Sequence, residues 1–474
     1  MKNKILLFVA LSLFSVKVFS DSNEDLFEAC KQGNLEKVKK ALSKGADVNA
    51  VDAEGHTPIG HSFFWPEIVG HLLDNGADAS ISVVMLNSCT FYCEETFKVL
   101  MAKGVDPQKS IKVGGGKVTV FNKLLDDEKA KGESADKDKI KYYEKMIKSA
   151  GKNIPTTFTV YPFFAAIGSA NKVIIDELVK NKVNFKFVGE DGLSSIGKFV
   201  QSVRTADVYM SYIASTATAL ESRGYKVPDW FRNIDQSKYY TPAEVLNILS
   251  EQGADLNQKV KTAQGEKSPL LAAMGYKGNS GSDPNAIIAL IKKGANVNEE
   301  DDKWGAVINL GIRKGNLSIV KALVESGANV NIESKEYDDK AGQYSKGFTP
   351  LTIAAMVDKL DIVKYLLDSG AKPAEGVHGF SGNIKTGCAT DVKNKTAIFF
   401  AIENGNFEMV KTLVESTTFN WGEKKYETKQ LTLSNTHNTT KVTSCFNDGS
   451  YTPSQYAKEV GAKNILEYLK SKNL

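Results

Sequence analysis

The stretch Trp304–Asn331 carries the pattern of apolar and polar positions on which the interpretation of the whole chain rests. Ile319, Val320 and Leu323 share one helix face, because apolar residues three and four apart lie on the same side of a helix. A Gly-Asn pair separates this helix from a shorter apolar segment before it. Gly327 suits the left-handed backbone that ends a helix. The stretch therefore predicts two short helices joined by a turn.

The same pattern recurs along the chain and closes each time with a Gly-Ala-Asp or Gly-Ala-Asn motif. The motifs stand at Gly45–Asn49, Gly76–Asp78, Gly253–Asn257, Gly294–Asn298 and Gly327–Asn331. One pair of short helices cannot bury its apolar face alone. A recurrence at about 33 residues therefore predicts helical pairs stacked side by side.

These residues resemble the ankyrin repeat, whose pattern runs from Asp-x-x-Gly-x-Thr-Pro-Leu through two helices to Gly-Ala-Asp-Val-Asn. Asp52–Pro58 and Gly347–Leu351 are the best matches to its opening turn. The resemblance implies an all-α, ankyrin-like solenoid of about twelve helix-turn-helix repeats over residues 21–474. Two weak repeats are predicted at Glu190–Tyr225 and Trp230–Gly253. Long insertions near residues 331–347, 373–393 and 417–450 are expected to form exposed fingers.

The N-terminus predicts export. Two lysines within Met1–Lys4 precede an apolar run at Ile5–Phe14, and small or tolerated residues lead to Ser20. This order is typical of a signal peptide, here residues 1–20, with Asp21 starting the mature chain. The apolar run is shorter than the roughly 20 residues that a membrane span requires. We therefore predict a periplasmic or secreted protein without a membrane span.

Export permits disulfide bonds, and the chain has five cysteines. Cys30 falls on the apolar side of a predicted helix and is interpreted as a buried free thiol. The preferred pairing joins Cys89 to Cys93, and it joins Cys388 to Cys445, which lie in the last two long insertions. Zinc held by four thiols is the alternative, although no histidine has ligand spacing.

The charge balance and the histidines give little support to nucleic-acid binding or catalysis. The formal net charge is +4, and the lysines are interspersed with acidic residues, so no nucleic-acid partner is predicted. A metal pair of His61 and His71 is conceivable, but turn or surface positions are favoured for both. No motif such as Gly-x-Ser-x-Gly or His-Glu-x-x-His occurs. We predict no enzyme activity, no cofactor and no metal.

Recognition of another protein is the predicted function. The resemblance implies a concave surface of turns and first helices with the fingers beside it. Exposed aromatic residues are good anchors for a partner, so the aromatic residues of the fingers are the candidates: Tyr337, Tyr344, Phe380, Phe419, Trp421 and Tyr426. The alternative is that each of them packs onto its own finger.

Three functions stay open for such a protein, which is predicted to be a monomer. The favoured one is a periplasmic scaffold, protector or inhibitor of a partner protein. The second is a secreted effector that binds a host protein. The third, from another class, is an enzyme with a site built on the insertions.

Overall fold

The computed structural model describes most of the chain from residue 22 onward. The described residues are 22–52, 55–114, 117–149, 157–203, 216–233, 235–262, 265–275, 282–338, 343–373, 375–382, 389–416, 421, 426–429 and 449–474. The chain divides into two compact units, one ending at Leu256 and the other beginning at Asn257. The predicted signal peptide lies outside the described residues and stays a prediction.

Short helices, many of which pack in successive pairs, build the first unit. They are α1 (22–32), α2 (Leu35–Ser43), α3 (Pro58–His61), α4 (Pro66–Asp74), α5 (Val84–Thr90), α6 (Glu94–Ala102), α7 (Lys117–Lys129), α8 (Lys137–Ser149), α9 (Pro162–Ser169), α10 (Lys172–Lys180), α11 (Ser195–Ser202), α12 (216–221), α13 (Asp229–Arg232) and α14 (Pro242–Glu251). A small antiparallel sheet joins β1 (Ile111–Gly114) to β2 (Thr157–Val160).

The second unit continues the helical pairs and adds more strands. Its helices are α15 (Pro269–Met274), α16 (Pro284–Lys292), α17 (Val307–Arg313), α18 (Leu317–Glu325), α19 (Pro350–Met356), α20 (Leu360–Asp368), α21 (Ala397–Glu403), α22 (Phe407–Glu415), α23 (Pro453–Glu459) and α24 (Lys463–Ser471). Two short hairpins pair β3 (Val260–Thr262) with β4 (Gly265–Lys267), and β5 (Glu300–Asp301) with β6 (Gly305–Ala306).

Capping residues in the sequence determine where many of these helices begin. Thr349 forms a capping box with Thr352, and Pro350 takes the first helical position, where its missing N–H costs nothing. Several second helices instead begin after an asparagine whose side-chain oxygen accepts a backbone N–H of the first turn. These asparagines are Asn34, Asn171, Asn316 and Asn406.

Each helical pair buries its apolar face against its neighbours. In the second unit, the first helices of the pairs pack in one layer: α15, α17, α19, α21 and α23. The second helices pack in another layer: α16, α18, α20, α22 and α24. Ile319, Val320 and Leu323 of α18 are buried, as their spacing predicted. The prediction of a helical repeat fold is confirmed, whereas the number of about twelve repeats stays a prediction.

One pair in the first unit departs from the predicted repeat boundaries. Helix α11 packs against α9 of the preceding pair and also against α14. These contacts make α11 and α14 the two helices of a single repeat. The sequence pattern assigned the segment between those helices to two weak repeats. Its described residues, 203, 216–233 and 235–241, therefore belong to an insertion.

Asparagines at the ends of the Gly-Ala-Asp/Asn motifs tie each repeat to the next one. The Asn298 side chain donates to Gly327 O (3.0 Å) and accepts from the backbone N–H of Asn329 (2.8 Å). Asn331 makes the same two bonds to Gly370 O (3.1 Å) and from Lys372 N (2.7 Å). Asn49 repeats this arrangement in the first unit, with Gly76 and Asp78. One side chain thus satisfies two backbone groups that a turn would otherwise leave to water.

The long insertions of the second unit pair strand to strand. They supply β7 (Ser334–Asp338), β8 (Gln343–Phe348), β9 (Val377–Gly382), β10 (Ala389–Lys395), β11 (Tyr426–Lys429) and β12 (Gly449–Tyr451). These strands form one six-stranded antiparallel sheet in the order β12-β11-β10-β9-β8-β7. We call it the finger sheet. The all-α prediction is wrong in this respect, since strands add to the helical pairs without replacing them.

Glycines allow neighbouring fingers to approach closely at their bases. Gly347 has a φ of +80°, and a Cβ there would lie 2.4 Å from Gly376 O. A Cβ on Gly376 would lie within 2.6 Å of the Asn394 backbone. Because both contacts are with backbone atoms, which cannot rotate away, only glycine fits at these two positions.

A buried ion pair joins the end of the finger sheet to the helices. Lys395, the last residue of β10, lies 2.7 Å from Glu403 of α21, and both side chains are shielded from water. The Lys395 ammonium also lies 4.5 Å from the centre of the Phe400 ring. Burial lowers the pKa of Lys395, and the Glu403 carboxylate offsets part of that shift. Loss of either charge would leave the other buried without its counter-ion.

The helices in the described part of the chain are short. The two longest helices described are Lys117–Lys129 and Lys137–Ser149, with 13 residues each, against the roughly 20 that a membrane span requires. Within the described residues, none combines the length and the apolar composition needed to cross a bilayer.

We expect Asn331→Ala to lower the free energy of unfolding of the second unit by about 1–2 kcal/mol, because two hydrogen bonds between repeats are lost. Chemical denaturation of the full chain, followed by circular dichroism, measures this change. Asn296→Ala is the matched control, since its side chain accepts only the local Asn298 N–H among the bonds described for it. Equal losses in the two variants would contradict a role for Asn331 in joining repeats.

We expect Lys395→Ala to destabilise the second unit by about 3–5 kcal/mol, because Glu403 then stays buried without a cation. The double variant Lys395→Met with Glu403→Leu should recover stability to within about 1 kcal/mol of the original chain, since an apolar pair needs no desolvation. Denaturation midpoints compare the three proteins. A double variant as unstable as Lys395→Ala would show that the pair is required for itself.

Candidate partner-binding surfaces

The insertion between α11 and α14 lies across the helical pairs at the start of the chain. We call its described part, residues 216–241 without 234, the strap. Lys226 N donates to Lys31 O (3.1 Å), and the Gln32 side chain donates to Gly224 O (2.8 Å). At the other end of the strap, Tyr240 N donates to Ala170 O (2.8 Å). The strap therefore reaches from the end of α1 to the junction between α9 and α10.

Aromatic side chains hold the middle of the strap against the repeats. The Phe231 ring lies 5.4 Å from Phe64 and 6.3 Å from Phe91, both at edge-on angles. Tyr225 contacts Phe63 with ring centres 5.6 Å apart. Aromatic pairs at such distances add to the stability gained from burial alone. Phe63, Phe64 and Phe231 are all buried.

Trp230 stays open to solvent beside this cluster. Its side chain is 44 % exposed, although its ring lies edge-on to Phe64 at 6.0 Å. Large aromatic residues that remain exposed are the residue type most often found as anchors in protein interfaces. Trp230 therefore exposes part of its ring at the surface of the first unit, while Phe64 restrains that ring from one side.

A cavity of about 350 Å³ opens next to Trp230. Phe64 and Tyr92 supply further aromatic lining, and the charged lining residues are Glu94, Glu95, Asp235 and Lys238. Three lining carboxylates face one lining ammonium, and Lys98 pairs with Glu95 at 2.8 Å, so one negative charge remains in excess. The cavity combines apolar and acidic lining residues.

The acidic groups are held in place by neighbours from several elements. Glu94, the first residue of α6, accepts from Asn171 (3.0 Å) and from Lys238 of the strap (3.0 Å). The Asp235 carboxylate accepts from the Ser237 hydroxyl and from the Ser237 backbone N–H, and these two hydrogen bonds hold its pKa below the usual value. Fixed carboxylates beside aromatic rings form a surface suited to a basic side chain, because both attract a cation.

Of the predicted finger anchors, Trp421 proves to be a core residue. Its side chain is only 1 % exposed, and its ring N–H donates to Leu413 O of α22 at 3.2 Å. The prediction that Trp421 binds a partner is wrong. The insertion uses this residue to pack its base onto the last turn of a helix.

The other predicted anchors belong to the finger sheet or lie outside the described residues. In the backbone register, Tyr337 pairs with Tyr344, Phe380 with Asp391, and Tyr426 with Tyr451. Tyr337, Tyr344, Phe380 and Tyr426 thus all belong to one sheet. Phe419 lies outside the described residues. A partner-binding role for these five residues stays a prediction.

The cysteines do not form the first predicted bond. Cys30, Cys89 and Cys93 are free and buried, and the Cys93 thiol donates to Phe91 O at 3.5 Å. The predicted Cys89–Cys93 disulfide is therefore absent from this structure. Burial raises the pKa of Cys30 to about 12 and also raises those of Cys89 and Cys93, which disfavours the reactive thiolate form. Cys388 and Cys445 lie outside the described residues.

The histidines are not arranged as the sequence suggested. His71 lies beside Asn75 of its own helical turn, 3.4 Å from its amide nitrogen. His61 is buried and instead contacts Asp52 and Tyr225. The described contacts of His61 are therefore with Asp52 and Tyr225 and not with His71.

Sequence reasoning missed the strap and the exposure of Trp230. One signal was available: the Thr-Pro pair at Thr241-Pro242 opens a second helix instead of a first one. A first helix near residue 195 and this second helix are separated by far more than a turn. That distance could have indicated an insertion.

The comparison with known families agrees with the helical pairs of the second unit. A family model described as ankyrin repeats, in three copies, matches residues 279–376 and 334–425. These residues are ankyrin repeats. No curated protein matches the chain.

Proposed function

Starting from the ankyrin repeats at residues 279–425, we propose that this protein is exported and binds a partner protein in the periplasm, as a scaffold, protector or inhibitor. Ankyrin repeats generally mediate protein–protein interaction and are not typically catalytic. Stacked repeats offer long surfaces that suit a polypeptide better than a small molecule. Their stability comes from neighbour contacts, which leaves the exposed faces free to vary.

The observation that carries this proposal is the cavity beside Trp230. Its Trp230 ring already packs edge-on against Phe64, so this side chain would lose little conformational entropy when a partner binds. Its lining residues come from the repeats and from the strap together. A surface of this kind needs no bound cofactor to engage a polypeptide.

The partner segment is proposed to carry an arginine or a lysine next to apolar residues. Glu94, Glu95 and Asp235 would pair with the cation, and the Trp230 ring would cover its aliphatic stem. Arginine is the better fit, because its planar guanidinium can stack on a ring while it donates to carboxylates. This charge preference distinguishes the partner from an acidic ligand.

The finger sheet is proposed as a second contact surface on the second unit. Tyr337, Tyr344, Phe380 and Tyr426 all belong to its strands. A sheet with an edge strand can also accept an extended peptide through backbone hydrogen bonds. Ser334–Asp338 is one outer strand of the sheet.

We expect Trp230→Ala to weaken partner binding by about 30-fold, which corresponds to a loss of about 2 kcal/mol at an interface anchor. The partner is captured from a periplasmic extract and identified. Its affinity for the original chain and for the variant is then measured by calorimetry with purified components. Affinity should also fall as salt is raised, since charge pairing contributes.

Tyr142→Ala provides the matched control for Trp230→Ala, because Tyr142 is another exposed aromatic residue, at 53 %, on helix α8. This control should bind the partner as tightly as the original chain. Unchanged affinity of Trp230→Ala would contradict the proposed contact at the cavity. Equal losses in both variants would assign the effect to general changes in the first unit.

When the protein is expressed in a Gram-negative bacterium, we expect to recover it in the periplasmic fraction. Mass spectrometry should find Asp21 as its first residue. Leu7→Arg should block export, because a charge interrupts the apolar run of the leader. Leu7→Ile is the control and should be exported normally. A cytoplasmic chain that keeps residues 1–20 would contradict export. Recovery from the medium would instead favour the secreted-effector alternative.

A further inference from the structure

Two histidines and one aspartate meet at the opening turn of the second helical pair. Asp52, His56 and His61 each offer one oxygen or nitrogen atom, and these three atoms all lie within 4.8 Å of one another. Asp52 Oδ2 lies 2.7 Å from His61 Nε2 and 4.0 Å from His56 Nδ1. From this geometry we propose that the three residues form a binding site for a divalent transition metal, with Zn²⁺ as the best fit.

The separations between Asp52 Oδ2 and the two imidazole nitrogens, 2.7 and 4.0 Å, lie on either side of the ligand-to-ligand distance in a zinc centre. Ligand atoms about 2.0–2.2 Å from a tetrahedral Zn²⁺ lie about 3.4 Å from each other. The Asp52–His61 distance would have to open by a little more than half an ångström and the Asp52–His56 distance to close by about as much. Rotation of the half-exposed His56 side chain can close the Asp52–His56 distance. A small rotation of the Asp52 carboxylate or the His61 ring would have to open the Asp52–His61 distance.

The turn itself positions the carboxylate. Asp52 Oδ1 accepts the backbone N–H of His56 (2.8 Å), which leaves Oδ2 directed at the imidazoles. Asp52 N in turn donates to His56 O (2.9 Å), and Gly55 has a φ of +90°, so the turn is tight. One carboxylate oxygen is thus held by the backbone while the other is offered as a ligand.

The strap supplies an outer partner to the site. Tyr225 Oη lies 2.5 Å from His61 Nδ1. When Nε2 binds a metal, Nδ1 carries the proton and donates it in a hydrogen bond, here to the Tyr225 oxygen. Such outer partners orient a ligating imidazole and strengthen metal binding. Phe27 packs edge-on against the same His61 ring at 5.7 Å and limits its rotation.

The ligand set indicates the class of metal. Imidazole nitrogens suit zinc and the later transition metals, whereas magnesium and calcium prefer oxygen ligands alone. Two histidines and one carboxylate leave a fourth position for water, on the side where His56 meets solvent. Zn²⁺ bound here would connect the opening turn to the strap through His61 and Tyr225. The site is independent of the proposed partner cavity.

Zn²⁺ binding to the metal-free full chain tests this proposal, with a chromophoric chelator as competitor. We expect His56→Ala and Asp52→Asn each to weaken Zn²⁺ binding by at least about 100-fold, and Tyr225→Phe by about 10-fold, as outer partners typically do. His71→Ala is the matched control and should bind as the original chain does. Mg²⁺ should not compete. Co²⁺ should give visible d–d absorption that His56→Ala lacks.

A second measurement uses the unmodified sequence and so does not depend on how the variants fold. Diethylpyrocarbonate labels accessible histidines, and peptide mapping then locates the label. Zn²⁺ should protect the peptide that holds His56 and His61 and leave the labelling of His71 unchanged. The proposal is overturned if the chain binds no Zn²⁺, if His56→Ala keeps the original affinity, or if Zn²⁺ protects His71 but not His56.

Discussion

Every helical pair in this protein has to bury its apolar face against another pair. Many of the helices have nine residues or fewer, a length at which an isolated helix is not stable in water. Neighbour packing supplies what is missing, and the asparagine bonds from Asn49, Asn298 and Asn331 set the spacing of the turns. Stability is therefore a property of the stack within each unit.

The insertions use the freedom that such a stack leaves. In the second unit they pair into the finger sheet, and Trp421 and Lys395 fasten its base to the helices. Gly347 and Gly376 allow neighbouring fingers to approach each other. In the first unit the strap follows the junctions between helices and buries their aromatic residues. The strap adds contacts between repeats that are distant in sequence, whereas the finger sheet joins insertions that follow one another along the chain. The position of Trp230 and the contact of Tyr225 with His61 exist only because the strap returns to these repeats.

The repeat core could be predicted because its information is local. Helical spacing at Ile319, Val320 and Leu323, together with the motif at Gly327–Asn331, requires no knowledge of distant residues. The finger sheet, the strap and the contact of Tyr225 with the Asp52–His56–His61 cluster depend on which segments meet in space. Nothing in the local sequence near His61 indicates that Tyr225, 164 residues away, lies against it. Trp421 was misjudged for the same reason, since its acceptor on Leu413 depends on how the insertion folds back.

Hydrogen exchange of the full chain tests most directly whether repeats are joined through their turns. The amides of Asp78, Asn329 and Lys372 lie in turns at the surface, yet each donates to an asparagine of the preceding repeat. Mass spectrometry of overlapping peptides should find these amides exchanging far more slowly than free turn amides. Exchange of all three within seconds, at the rate of an unstructured peptide, would contradict a stack held together by these bonds.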